Sequence, residues 1–424
     1  WINMGAMAIS TLAGSLLDRR AETRELPPET PLDPEGEAVD LARFAGMAAG
    51  RNVVWINLES TAAQYLPAWG AARDPMPNVS TLGRGAWTFE HVYAAYPESI
   101  KGLFAMLCAT PPAAHTGAER YTEEKRPCEP IAARLRDAGY RTALYHSGWF
   151  AYLGMQGIVD ARGFDALVDA GSVPSPFRSS FGVDENATVD RALAWIDGGP
   201  RDRPFFLMYL PIAGHHPYNA PGPPDSPHPF GRGSDFDEYE NDLWRGDRAI
   251  ARLVDGVRKR GLDGRTLYVI VGDHGEAFRQ HPGNFAHTLF LYEENMHVPL
   301  FVRAAGLTDT PVRAPQIGST IDVAPTVLAL LGLPAPARWQ GRSLLDPIPG
   351  VARFFVDQAV WQAGLRSGPW KLLLDMETGR AQLFHLTTDT AEEHDLTPEQ
   401  GARVRHYREH LAAWAVRQRS LFAR

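Results

Sequence analysis

Between Leu267 and Val271 five apolar residues, Leu-Tyr-Val-Ile-Val, follow one another without a polar break. The run stops at Gly272, and Asp273, His274, Gly275 and Glu276 come next. A strand with no polar side must be covered on both faces, as strands in the middle of a parallel α/β sheet are. Ligands of such sheets gather beyond the carboxyl ends of the strands. An acid beside an imidazole at that place is positioned to hold a divalent cation. The same pair also serves as a plain polar turn, so the rest of the chain has to decide between the two.

Two other apolar runs end in the same manner. Asn52–Leu58 stops at Glu59, and Pro204–Leu210 leads into Gly214, His215 and His216. Trp87–Tyr93, Tyr140–His146 and His297–Val302 read as further strands. Helical patterns fall between them, over Pro77–Arg84, Lys101–Cys108, Pro130–Ala138, Asp184–Trp195, Asn241–Arg260 and Asp322–Leu331. This alternation predicts an α/β fold, a doubly wound, mostly parallel sheet with helices on both faces. If the three strands run parallel, Glu59, the His215–His216 pair and the Asp273–His274 pair meet at one sheet edge. Past Pro347 the pattern changes. Phe354–Val356, Trp361–Arg366, Trp370–Leu374 and Gln382–Leu386 read as a small antiparallel sheet, closed by a helix from Pro398 to about Ala415. The expected organisation is an N-terminal helix and linker over 1–50, a catalytic domain over 51–346 and a C-terminal α+β subdomain over 347–424.

A net charge of −8, spread over 424 residues without long blocks, argues against nucleic acid as the main partner, because phosphate backbones require a clustered basic surface. Trp1 to Leu17 carries no charged side chain but is short for a membrane span. It reads either as the end of a membrane or signal segment or as an ordinary buried helix. Glu25 to Glu37, rich in proline and acid, reads as an extended linker. The two cysteines, Cys108 and Cys128, either form a disulfide, which implies an exported domain, or stay as two buried thiols.

With Glu59 and Asp273-His274 set out, the pattern resembles the sulfatase and phosphotransferase branch of the alkaline phosphatase superfamily, from about Arg51 to Leu396. Asn52-Val-Val-Trp-Ile-Asn-Leu-Glu59-Ser60 is similar to the first strand of lipoteichoic acid synthases and phosphoethanolamine transferases, whose Glu binds the metal. Val271-Gly-Asp-His-Gly-Glu276 resembles the family's metal-binding strand end. Ile321 to Thr326 and Gln340 to Leu344 look like the segment joining two sulfatase domains. Trp370-Lys-Leu372, Leu383 to Leu386 and Glu393 to Leu396 are similar to the sulfatase C-terminal subdomain.

The resemblance implies a nucleophile at Ser99, where a helix start offers free N–H groups and a positive dipole end. On local sequence alone Ser99 reads rather as a helix cap, and the family register reverses that preference. The implied metal shell is Glu59, Ser99, Asp273 and His274, holding one divalent ion. Its oxygen and nitrogen donors suit Zn²⁺ or Mn²⁺ better than Ca²⁺, with Mg²⁺ or Ca²⁺ as the alternatives. His215 or His216, with His216 preferred for its His-Pro-Tyr sequence, and Lys101 would bind an anionic substrate. His287 would contact the transferred group and protonate the leaving oxygen. His146, His281 and His297 read as structural. True sulfatases carry Cys-x-Pro-Ser-Arg, matured to formylglycine, whereas this chain reads Ser99-Ile-Lys-Gly-Leu103 and has Leu58-Glu59 where paired Asp residues are usual. An unmodified serine suits phosphoryl transfer through a covalent phosphoserine. Sulfate-ester hydrolysis is the alternative, and a non-catalytic binding protein the third reading. The expected substrate is a phosphoester or sulfate ester, carried on a lipid or glycan. The expected place is the periplasmic or extracellular face of a membrane, with the N-terminus as an anchor.

Overall fold

The computed structural model of the chain describes residue 32, residues 34–114 and residues 128–422. The Trp1–Leu17 segment and most of the Glu25–Glu37 linker therefore lie outside the described residues. Among the described residues no helix is long and apolar enough to cross a membrane.

In chain order the elements are β1 (Asn52–Leu58), α1 (Pro77–Arg84), β2 (Trp87–Tyr93), α2 (Ser99–Cys108), α3 (Ile131–Asp137) and β3 (Arg141–His146). They continue with α4 (Met155–Val159), β4 (Ala166–Val168), α5 (Glu185–Asp197), β5 (Phe205–Leu210), α6 (Asp235–Lys259) and β6 (Thr266–Gly272). A short hairpin, β7 (Ala277–Phe278) and β8 (Phe285–Ala286), precedes α7 (Glu293–Met296), β9 (His297–Ala304), β10 (Val312–Ser319) and α8 (Val323–Leu331). The last part holds β11 (Val351–Asp357), β12 (Trp361–Ser367), β13 (Trp370–Asp375), β14 (Ala381–His385) and α9 (Gly401–Phe422).

Eight strands form one sheet in the order β10-β2-β9-β6-β1-β5-β3-β4. Only β9 runs against its neighbours β2 and β6; the other pairings are parallel. The unbroken apolar runs of β1, β5 and β6 are explained by cover on both faces. Val53 and Trp55 point into a cluster with α2, α3 and α8, while Val54, Ile56 and Leu58 point into one with α1, α5 and α6. Each large apolar side chain so buried contributes roughly 1.5–3 kcal/mol, which makes the strand ends a stiff platform. β10 is absent from the sequence-based reading. Pro315 lies inside it, its ladder with β2 slips between Ala314 and Ile317, and it sits at the sheet edge, where proline in a strand is tolerated.

A separate antiparallel sheet, β11-β12-β13-β14, carries α9 on one face through Val404, Tyr407 and Leu411. Tyr96, just before α2, joins that cluster and meets Phe355 edge-on at 5.1 Å. Cys108 at the end of α2 is bridged to Cys128, their Cα atoms 5.3 Å apart. On the chain-entropy argument a loop of this size contributes ~3 kcal/mol.

Candidate active site

β6 and β5 flank β1 in parallel, and Leu58 stands opposite Gly272. Glu59 and Asp273 are the next residues on two neighbouring strands, and the Asp273 N–H donates to the Leu58 carbonyl at 3.1 Å. The exit of β5 closes over the same edge through Gly214. Its φ of +107° lies in the left-handed region, and a Cβ there would stand 2.6 Å from the Glu59 carbonyl. Only glycine fits so close a turn.

The serine expected as either cap or nucleophile does not cap. Glu98 is the N-cap of α2, its carboxylate accepting from the N–H groups of Ile100 and Lys101 at 3.1 Å each. Ser99 is the first helical residue, and its hydroxyl is free of capping work. Its Oγ lies 3.0 Å from each Glu59 carboxylate oxygen and 3.2 Å from His274 Nε2. His274 Nδ1 is 2.9 Å from the Gly275 carbonyl, which can only accept. Nδ1 therefore carries the proton, and the Nε2 lone pair faces Ser99. Asp273 Oδ1 accepts from the N–H groups of Ser60 (2.9 Å) and His274 (2.7 Å). Its Oδ2 is buried without a hydrogen-bond partner.

This cluster is short of positive charge. Burial, then the neighbouring Asp273, raises the Glu59 carboxyl above its ordinary range. Burial pushes Asp273 up to about 7. Burial, then His287, lowers His274 to about 4. The ion-pair contacts of Glu59 and Asp273 among the described residues are with His274 alone. One ligand atom from each of Glu59, Asp273 and His274 falls within 4.8 Å of the others. Two buried carboxylates, an imidazole lone pair and an unused oxygen are what a divalent cation would complete. A second group, His274, Glu276 and His287, shares His274. Within it Glu276 already accepts from His287 Nδ1 at 2.6 Å, so the donors fit one ion centred on the first group.

A cavity of about 300 Å³ opens above Ser99, with His215, His216 and His287 in its lining. Burial, then His215, lowers His287 to about 4. The carboxylate on its Nδ1 directs Nε2 to the cavity side. His215 is half-buried, its ring 6.1 Å from that of His287. His216, preferred on sequence, is exposed and packs against Tyr218 and Phe285, so the geometry favours His215. Lys101 is placed elsewhere. Its ammonium is buried on Asp357 at 2.8 Å and on the Tyr96 hydroxyl at 3.2 Å, tying α2 to the second sheet. His281 pairs with Glu294 and His297 with Glu293, away from Ser99. His146 lines the cavity, with Nδ1 on the Leu210 carbonyl. Sequence reasoning gave Glu276 no role, although it stands three residues past Asp273. It is buried between the Tyr218 hydroxyl (2.7 Å) and His287, and burial pushes it up to about 7.

Comparison with known proteins bears on the family and the fold. The Sulfatase family model matches residues 51–333, and the model for the C-terminal part of N-sulphoglucosamine sulphohydrolase matches residues 283–406. Lipoteichoic acid synthase-like YvgJ of Bacillus subtilis (strain 168) is 23% identical over 307 residues, covering 69% of this chain and 49% of the relative. Arylsulfatase A of Homo sapiens is 25% identical over 354 residues, 70% of this chain and 67% of the relative. This chain thus spans about half the length of the lipoteichoic acid synthase relatives, 49% of one and 46% of another. A solved protein of the alkaline phosphatase superfamily from Vibrio parahaemolyticus has a TM-score of 0.72 at 20% identity, covering 97% of each chain. The lipoteichoic acid synthase LtaP from Listeria monocytogenes has a TM-score of 0.70 at 16% identity, covering 88% of this chain and 93% of that one. At these identities the structural likeness concerns the fold, an alkaline phosphatase-like sheet with a separate C-terminal sheet. With a family model matched over well above half its length, this chain belongs to the Sulfatase family.

Proposed function

We propose that the protein is a metal-dependent phosphoester hydrolase or phosphotransferase acting through Ser99. One observation carries this reading. The Ser99 hydroxyl stands at the first position of a helix, 3.0 Å from both Glu59 oxygens and 3.2 Å from His274 Nε2, and the neighbouring Asp273 has an unused oxygen. Glu59, Asp273, His274 and Ser99 Oγ would hold the divalent ion, which when bound supplies Lewis-acid stabilisation of developing negative charge.

In the first half-reaction Ser99 Oγ forms a bond to phosphorus as its proton passes to Glu59. The bond from phosphorus to the leaving oxygen breaks, and that oxygen takes a proton from Nε2 of His287 in its imidazolium form, which the Glu276 carboxylate on Nδ1 would stabilise against the lowering by burial and His215. In the second half, water or an acceptor hydroxyl attacks the phosphoserine and gives its proton to His287. Ser99 recovers its own proton from Glu59, so each group ends as it began. Glu276 holds the His287 ring in place for both transfers. The absence of proline and arginine after Ser99 supports an unmodified serine. The Cys108–Cys128 bridge supports an exported location, where lipid- or glycan-borne esters are met.

Sulfate-ester hydrolysis is the second reading, favoured by the sulphohydrolase model matched at residues 283–406. Turnover of bis(4-nitrophenyl) phosphate and of 4-nitrophenyl sulfate by the metal-loaded protein separates the two. The expected result is phosphodiester cleavage with a phosphate on Ser99 detected by mass spectrometry of the quenched reaction. Efficient sulfate release, with no phosphorylated Ser99, overturns the phosphoryl reading.

A further inference from the structure

The wall of the cavity above Ser99 differs in kind from its floor. The floor is acid, hydroxyl and imidazole. The wall is Trp149, Tyr152, Leu153, Phe181 and Ile212. These side chains connect to the reacting group through a chain of contacts. The Tyr152 and Phe181 rings are 5.5 Å apart, Phe181 lies 4.8 Å from His215, and His215 lies 6.1 Å from His287. Phe181 is backed by a small apolar cluster of Ile212, Ala213 and Ala220, so it stands on a fixed support.

Two further features point to a ligand at this wall. Leu153 is 58% exposed and Tyr152 44%, so the rim presents apolar side chains to water. Leu153 does so from a φ of +46°, a left-handed conformation that bulky side chains rarely adopt and that concentrates at ligand-binding segments. Among the described residues the cavity lining contains no Lys or Arg. Lys101, the cation nearest Ser99 in sequence, is withdrawn onto Asp357. A site built for a substrate with several anionic groups would place permanent cations around the reacting one. Among the lining residues the positive charge at the floor would come from the metal, enough for one anionic ester.

We infer that the natural substrate carries a single anionic ester group and an uncharged, apolar substituent that seats against Trp149, Tyr152, Leu153 and Phe181. This inference rests on the phosphoryl-transfer reading for the identity of the reacting group, and the wall can be tested without turnover.

The test is calorimetric binding of three probes to the Mn²⁺-loaded protein: methylphosphonate, n-hexylphosphonate and phosphonoacetate. The first two differ only in apolar length, and the third adds a second negative charge. Hexylphosphonate is expected to bind about 30-fold more tightly than methylphosphonate, as partial burial of the added methylenes implies. Phosphonoacetate is expected to bind no more tightly than methylphosphonate. In Leu153→Ser and Phe181→Ser the ratio of hexyl to methyl affinity should fall toward one. Equal affinities, a preference for phosphonoacetate, or a hexyl preference unaltered in both variants each overturns the inference. Hydrolysis of 4-nitrophenyl methyl phosphate, measured on the same protein, reports separately on the chemistry. Its absence beside a strong hexyl preference would reject phosphoryl transfer and keep the apolar wall.

Discussion

Among the described residues, the pairs Glu59–Asp273 and Glu293–Glu392 stand in opposite surroundings. At the edge of the large sheet, Glu59 and Asp273 face each other with an imidazole and a serine, and both carboxyls are raised by burial. Between the two sheets, Glu293 and Glu392 share a buried lysine, with Lys371 Nζ 2.9 Å from Glu293 Oε1 and 2.9 Å from Glu392 Oε1. Burial would raise Glu293 as well, but Lys371, His297 and Arg366 together outweigh it and hold the carboxyl well below the usual range. Burial pushes Glu392 up to about 7, with Lys371 offsetting part of the effect. The chain thus carries the means to neutralise buried acids and uses them where the role is structural. At the sheet edge it leaves them unneutralised, and under the proposed function an external cation would complete the set. That contrast, more than the presence of acids, supports the sheet edge as the proposed reactive site.

The sharpest test of the difference is removal of the serine. Ser99→Ala should lower kcat/KM by on the order of 10⁴-fold or more, as loss of a covalent nucleophile does. The melting temperature should stay where it was, because the α2 cap is Glu98 and not Ser99. Undiminished turnover would mean that the sheet edge is as structural as the Lys371 cluster.

Lys371→Met should act in the opposite way, destabilising the fold by about 3–5 kcal/mol because two carboxylates are stranded without their cation. Chemical denaturation measures this. A loss below 1 kcal/mol would show that the acids between the sheets manage without the lysine, and the contrast would fail.

Metal addition probes the other side. At 100 times Kd a divalent ion that binds only the folded protein adds about 2.7 kcal/mol, visible as a rise in melting temperature that a chelator reverses. In Asp273→Asn that rise should largely disappear. An equal rise in the variant would place the ion elsewhere.

These assignments were unequally legible in the sequence. β1 and β6 announced themselves because strands covered on both faces leave unbroken apolar runs, and Glu59 and Asp273 are simply where those runs stop. The convergence of β1, β5 and β6 followed from the parallel rule and is met by the order β6-β1-β5. Ser99 was singled out through family register, since its local sequence reads as a cap. That reading missed Glu98 because a glutamate is an uncommon N-cap. Lys101 was misread for a different reason. Its partner, Asp357, lies 256 residues on, in another sheet, and nothing near Lys101 signals it. Glu276 escaped because its task depends on the β7–β8 hairpin bringing His287 back across the site, a tertiary event with no local trace.

Glu98 supplies the smallest effect and a middle case for the comparison. It is a buried carboxylate with neither a lysine salt bridge nor a place in the metal-ligand set, and burial raises it while the N–H groups of Lys101 and Ile100 offset part of that. Glu98→Gln keeps one good acceptor for those two donors and removes the buried charge. The two changes oppose each other, so stability should shift by no more than about 1 kcal/mol, the usual size of a cap effect. Glu98→Ala removes both acceptors and should cost about 1–2 kcal/mol. Metal affinity should not change in either variant, because Glu98 contributes no atom to the Glu59–Asp273–His274 set. Turnover should fall less than tenfold in the glutamine variant, since the amide oxygen at position 98 still accepts from the first-turn N–H groups of the helix that carries Ser99. A loss of metal binding in Glu98→Gln would show that the carboxylate belongs to the reactive cluster, and the line between the three kinds of buried acid would have to be redrawn.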